Sequence, residues 1–117
     1  MELRISSMDS SEQTALTDAI NRLWTQFLPQ MRGRVGILEA AAQAFAADKL
    51  SMAQHIEAND AAHKLAGALG SFGLTKGTVL ARELEIMYSR ENGPDPAMAA
   101  RLGEIAAELR TILENRT

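Results

Sequence analysis

The chain has 117 residues, a formal net charge of −3 and a hydrophobic content of 46%, which is room for one domain with a real core and not for two. Its 12 basic residues never form a run, which argues against a nucleic-acid or anionic-membrane surface. The absence of cysteine excludes disulfides, thiolate metal sites and cysteine nucleophiles, and no apolar run approaches the roughly 20 residues of a membrane span.

No basic-then-apolar signal pattern opens the chain, so the cytoplasm is the default location. Residues 1–9 read as a flexible lead-in to a single domain over 1–117. Ser10 followed by Gln13 reads as a capping box that opens a first helix, with Leu16, Ile20, Leu23 and Phe27 as its apolar stripe and Trp24 at the edge. Pro29 is expected to stop or kink that helix and to open the next one from its first turn. The second predicted helix carries Met31, Val35, Leu38, Ala42 and Phe45 inward, with Gly33 and Gly36 weakening it locally. Ser51 and Gln54 form another capping box, opening a helix that runs through His63 to about Ser71. Gly73 suits the left-handed residue that ends it. Thr75 is then expected to cap a helix with Leu80, Leu84 and Met87 inward. Asn92-Gly93-Pro94 breaks the chain. Asp95-Pro96 is an N-cap and first-turn pair for a last helix with Met98, Leu102, Ile105, Leu109 and Ile112 on one face. The expected fold is all-α: an antiparallel four-helix bundle with an additional N-terminal helix.

The stretch from His63 to Leu74 carries the chemistry. Side chains advance by about 100° per residue on a helix, so Leu65, Leu69 and Phe72 share an apolar stripe with Ala58, Ala61, Ala62 and Ala68, and His63 points the other way. Gly67 and Gly70 follow on the outward face and bare its backbone. Glycine costs about 1 kcal/mol relative to alanine inside a helix, so two of them beside an outward histidine imply close approach by something else. A di-iron carboxylate site would use Asp60 and His63 at i, i+3 but needs that pair twice; His55 has Met52 three before it, and the metal reading is weak. A Ser/His/Asp hydrolase lacks its nucleophile-elbow motif. Nucleophilic catalysis by His63 itself fits better, because a neutral imidazole can accept a phosphoryl group on one nitrogen if the other donates its proton to a fixed acceptor. Levelling the two helices about a turn near Leu74 brings Glu85 opposite His63 and Arg82 opposite Ala66. Glu85 could then fix the tautomer, and Arg82 could meet phosphoryl charge.

In these residues the chain resembles the histidine-containing phosphotransfer (HPt) domains. His63, Leu65, Gly67, Ala68, Gly70, Ser71, Phe72, Gly73 and Leu74 match the family signature, and Leu84-Glu85 matches the position of the residue that orients the phosphorylated histidine. The family commonly has lysine three residues after the histidine, where this chain has Ala66. Either Lys64 or Arg82 then supplies the compensating charge, or the phosphohistidine is less favoured. The resemblance implies a phosphorelay intermediary that takes a phosphoryl group on His63 from a receiver-domain aspartate or a histidine kinase and passes it to a response regulator. It implies no cofactor in this chain, Mg²⁺ residing in the receiver, and no ATP-dependent kinase activity, in keeping with the absence of a phosphate-cradling glycine loop. Met52 and Ile56 fall on the histidine's face, and with Asp60, Gly67, Gly70 and Ser71 they make the expected receiver-docking surface, unless the N-terminal helix covers them. The competing expectation is a helical adaptor that binds and inhibits a receiver or kinase without being phosphorylated.

Overall fold

The computed structural model describes residues 9–117; of the expected lead-in over 1–9, all but Asp9 lies outside the described residues. Among the described residues four α-helices follow one another: α1 (Ser10–Ala46), α2 (Met52–Ser71), α3 (Thr75–Ser89) and α4 (Ala99–Arg116), with a 3-10 turn, Pro96–Met98, leading into α4. α1 packs on α2 and α4, and α3 packs on α2 and α4, which closes an antiparallel four-helix bundle with no strand among the described residues.

The break expected at Pro29 does not occur. α1 passes straight through it, so the predicted first and second helices are one helix of 37 residues, and the additional N-terminal helix is the extension of the bundle's first. A mid-helix proline costs about 3 kcal/mol through its missing N–H and its clash with the preceding turn. Here Pro29 and Thr25, whose carbonyl loses its partner, are both exposed, so water can meet the freed group. Burial of Trp24 and Leu28 before the proline, and of Met31 and Val35 after it, offsets the rest at roughly 1.5–3 kcal/mol per large apolar side chain.

Continuity also turns the N-terminal half of α1. Its inward face continues the bundle's own row, Val35, Met31, Leu28 and Trp24, at spacings of 4, 3 and 4. Trp24 is therefore buried, 2% exposed, whereas Leu23 and Phe27 of the predicted stripe are 47% and 43% exposed. Trp24 packs edge-on against Phe72 at 5.1 Å, and its indole N–H donates to Thr117 Oγ1 at 3.2 Å. At 1.5 Å per residue α1 is about 55 Å long, equal to the longest dimension of the molecule, 55 Å. No residue from 10 to 23 is fully buried, and this stretch is tied to α4 at Asn21, whose Oδ1 accepts from Arg116 at 3.0 Å.

The caps are mixed. Asp9, not Ser10, caps α1, its Oδ1 accepting from Glu12 N at 2.7 Å; a carboxylate there also gains from the helix dipole. The Ser51/Gln54 capping box forms as expected, both bonds at 3.0 Å. Gly73 takes φ +73° and ends α2. Thr75 is the first residue of α3 rather than its cap, which falls on Leu74 without a side-chain bond. Asp95 caps the 3-10 turn, its Oδ1 accepting from Ala97 N at 2.9 Å, so the Asp-Pro pair opens α4 only through that turn.

The core is aliphatic and alanine-rich. Leu65 and Leu69 of α2, Leu80 and Leu84 of α3, and Leu102, Ile105, Leu109 and Leu113 of α4 are all buried. Ile112 packs at the margin, and Met98 is largely outside. α2 and α3 approach closely because Gly77 has no side chain: a Cβ there would stand 2.8 Å from Leu69 Cδ1. Partly exposed ion pairs stitch the seams, Arg32 to Glu114 at 2.8 Å and Arg110 to Glu39 at 2.6 Å between α1 and α4, and Arg101 to Glu83 at 2.7 Å between α3 and α4. Such pairs contribute about 0–1 kcal/mol each. Among the described residues no helix is long and apolar enough to cross a membrane.

Candidate functional site

The site lies on the seam between α2 and α3. Its residues are brought together by helix register and by the direction in which helical side chains lean. His63 stands on the outer side of α2, its side chain 66% exposed. Its Nδ1 lies 2.6 Å from Glu85 Oε2 of α3, whose side chain is only 26% exposed. A carboxylate only accepts, so Nδ1 carries the proton and the lone pair of the neutral ring resides on Nε2, the nitrogen at the open end.

The pairing of His63 with Glu85 is as expected, but the levelling behind it is off by about one turn. Asn59 of α2 donates its amide to the backbone oxygen of Glu85 at 2.9 Å, and Thr78 Oγ1 donates to the backbone oxygen of Ala66 at 3.3 Å. The backbone of Glu85 is thus level with Asn59, and Thr78, not Arg82, is level with Ala66. Helical side chains lean toward their own N-terminus. In an antiparallel pair, Glu85 therefore leans toward the C-terminus of α2 and reaches His63, one turn beyond Asn59.

Among the cations, Arg82 Nη1 lies 3.7 Å from Glu85 Oε1, so both carboxylate oxygens of Glu85 face a partner. Lys64 instead bonds Asp60 one turn back, at 2.9 Å. Ala66 is fully buried, on the α3 side of α2 rather than beside the open imidazole.

Met52, Ile56, Asp60, Gly67, Gly70 and Ser71 are all exposed, and α1 does not cover Met52 or Ile56. Gly67 has nothing within 4 Å of where a Cβ would stand, while a Cβ on Gly70 would touch Thr78 Oγ1 at 3.4 Å. Gly67 therefore bares backbone to solvent, and Gly70 sits at the interhelical seam. Two apolar residues of α3 escaped the sequence reading: Val79 and Ile86 are exposed on either side of Arg82, and their i, i+7 spacing off the core stripe was the available signal. Asn59 was missed too; nothing in the sequence marks it beyond lying one turn before His63.

His55, weighed in the sequence only as a metal ligand, has another part. Its Nε2 hydrogen-bonds the backbone oxygen of Tyr88, one of the carbonyls left open at the C-terminus of α3. The Tyr88 ring is buried and its phenol is pushed up to about 12 by desolvation. No group of three or more His, Asp or Glu that could hold a metal ion occurs among the described residues.

These features, a solvent-facing imidazole with one nitrogen tied to a carboxylate on the neighbouring helix, agree with the comparisons to known proteins. The Hpt domain model matches residues 22–115, which takes in the bundle and leaves out most of the α1 extension. Protein RcaC of Microchaete diplosiphon is 32% identical over 108 residues, covering 92% of this chain and 17% of that protein. The chain thus spans about a sixth of the length of this curated relative. No solved structure matches the chain. The chain belongs to the Hpt domain family, the histidine phosphotransfer domains of two-component phosphorelays.

Proposed function

We propose that His63 is the phosphoacceptor of a phosphorelay, taking its phosphoryl group from the aspartyl phosphate of a receiver domain or from a histidine kinase, and handing it to a response regulator. The observation that carries this reading is the 2.6 Å contact of Nδ1 with Glu85 under an open ring. With the proton held on Nδ1, the Nε2 lone pair attacks phosphorus, the bond from phosphorus to the receiver's carboxylate oxygen breaks, and the aspartate leaves as a carboxylate. The ring becomes a cationic phosphoimidazolium, and Glu85 offsets its charge through the same hydrogen bond. In the forward transfer the carboxylate of the next receiver attacks phosphorus and the ring leaves neutral. Any Mg²⁺ belongs to the receiver.

In this reading Arg82, which lies at the Glu85 carboxylate, is the cation that meets the phosphoryl charge, and Lys64 pairs with Asp60. The docking face is the outer side of both helices: Met52, Ile56, Asp60, Gly67, Gly70 and Ser71 on α2, and Val79 and Ile86 on α3.

Incubation with a phosphorylated receiver should place an acid-labile, base-stable phosphate on the chain, and His63→Gln should abolish it. Absence of label with a receiver that binds would leave the unphosphorylated adaptor as the function. Label persisting in His63→Gln would overturn His63 as the acceptor.

A further inference from the structure

We propose that Asn59 is a positioning residue for the phosphoacceptor, holding Glu85 in the register that fixes the tautomer of His63. The inference rests on the reading of His63 and Glu85 given above and deepens it. Glu85 meets α2 twice. Its carboxylate takes the Nδ1 proton of His63 at 2.6 Å, and its backbone oxygen takes the Asn59 amide at 2.9 Å. Asn59 and His63 are one turn apart on the same edge of α2, so the two contacts grip a single residue of α3 at both ends.

The grip matters because a glutamate side chain has three rotatable bonds and could reach several places from a mobile backbone. A slide of α3 along α2 by one residue, about 1.5 Å, is more than half the 2.6 Å separation of Oε2 and Nδ1 and would lengthen or bend that hydrogen bond. Apolar packing fixes one end of this seam, where Leu69 sits over Gly77. Toward the site the buried residues of α2 include Ala58, Ala62 and Ala66, small groups that offer few ridges to lock into grooves.

Three side-chain-to-backbone hydrogen bonds add to that hold along the seam. His55 holds the Tyr88 oxygen, Asn59 the Glu85 oxygen, and Thr78 the Ala66 oxygen at 3.3 Å. Of the three, only the Asn59 bond ends on the residue that orients His63. Asn59 is half-buried, so its amide competes with little water for that carbonyl. It touches neither the imidazole nor a transferring phosphoryl group, and it acts through Glu85 alone.

The test reads the tautomer directly. Long-range ¹H–¹⁵N spectra of the full chain should show His63 protonated on Nδ1 in the wild type. Asn59→Ala should shift His63 toward a mixture with the Nε2-protonated form and slow phosphoryl acceptance by about two- to tenfold, the range expected for one neutral hydrogen bond. Asn59→Gln, which keeps an amide donor, should recover part of both. Thr78→Val removes a comparable interhelical bond away from Glu85 and should leave the tautomer as in the wild type, which separates positioning from a general loss of stability. A wild-type spectrum in Asn59→Ala, or an equal shift in Thr78→Val, would overturn the assignment. The spectrum needs no phosphoryl transfer. A chain that never takes label would refute the phosphotransfer reading while the role of Asn59 is still decided by the tautomer.

Discussion

Glu85 shows how much chemistry one side chain on the neighbouring helix can supply. A free imidazole in water populates both neutral tautomers, and only the form with its lone pair on the exposed nitrogen can attack an incoming phosphoryl group. The carboxylate selects that form before the donor arrives and meets the positive ring afterwards. Removing it should therefore cost rate without unfolding the bundle, since Glu85 contributes no core packing. Glu85→Ala should slow phosphoryl acceptance about 10- to 100-fold, corresponding to roughly 1.5–3 kcal/mol for a hydrogen bond involving a charged group. Glu85→Gln retains an acceptor oxygen and should lose only a few-fold. Rates measured by transfer from a phosphorylated receiver, with the melting transition as control, would decide; an unaltered rate in Glu85→Ala would reduce the residue to a solvated neighbour.

At the scale of the element, α1 is the surprise. Pro29 suggested two helices. The chain makes one because the inward row from Trp24 to Ala42 is unbroken, and the burial it brings outweighs a local defect at an exposed position. The consequence is a helix of two characters. From Asn21, which Arg116 of α4 holds, onward it is tied to the bundle, and before that it depends on its own propensity, which is marginal for so short a stretch in water. Amide hydrogen exchange should show residues 31–42 protected and residues 10–19 exchanging faster by about 100-fold or more. Uniform protection along α1 would mean that the extension is packed against something.

Across the whole molecule, the bundle divides into a wall of apolar residues and a face of presentation. α2 and α3 bury Leu65, Leu69, Leu80 and Leu84 and leave Met52, Ile56, Val79 and Ile86 exposed. Scattered surface apolar residues are ordinary; four of them on the two helices that build one site underlie the docking face proposed above. Ile56→Ala should weaken receiver affinity by about five- to tenfold, the loss typical of a contributing interface residue, while the melting temperature stays put because Ile56 is not in the core. Unchanged affinity in a binding titration would remove Ile56 from the interface.

The sequence by itself determined the number of packed faces, most of the core, the Ser51/Gln54 box, the Gly73 stop and the pairing of His63 with Glu85. Each of these is written in local periodicity, in cap chemistry or in a motif of fixed spacing, and each survives any small error in how helices are placed. What only the tertiary structure decided is relative: the one-turn register of α3 on α2, the rotation that buries Trp24 and exposes Leu23 and Phe27, the continuity of α1 through Pro29, and the grip of Asn59 on Glu85. Those follow from energies summed over many contacts between elements distant in sequence. A proline's cost or a turn's offset can be read locally, but whether packing overrides it depends on what the rest of the chain places alongside.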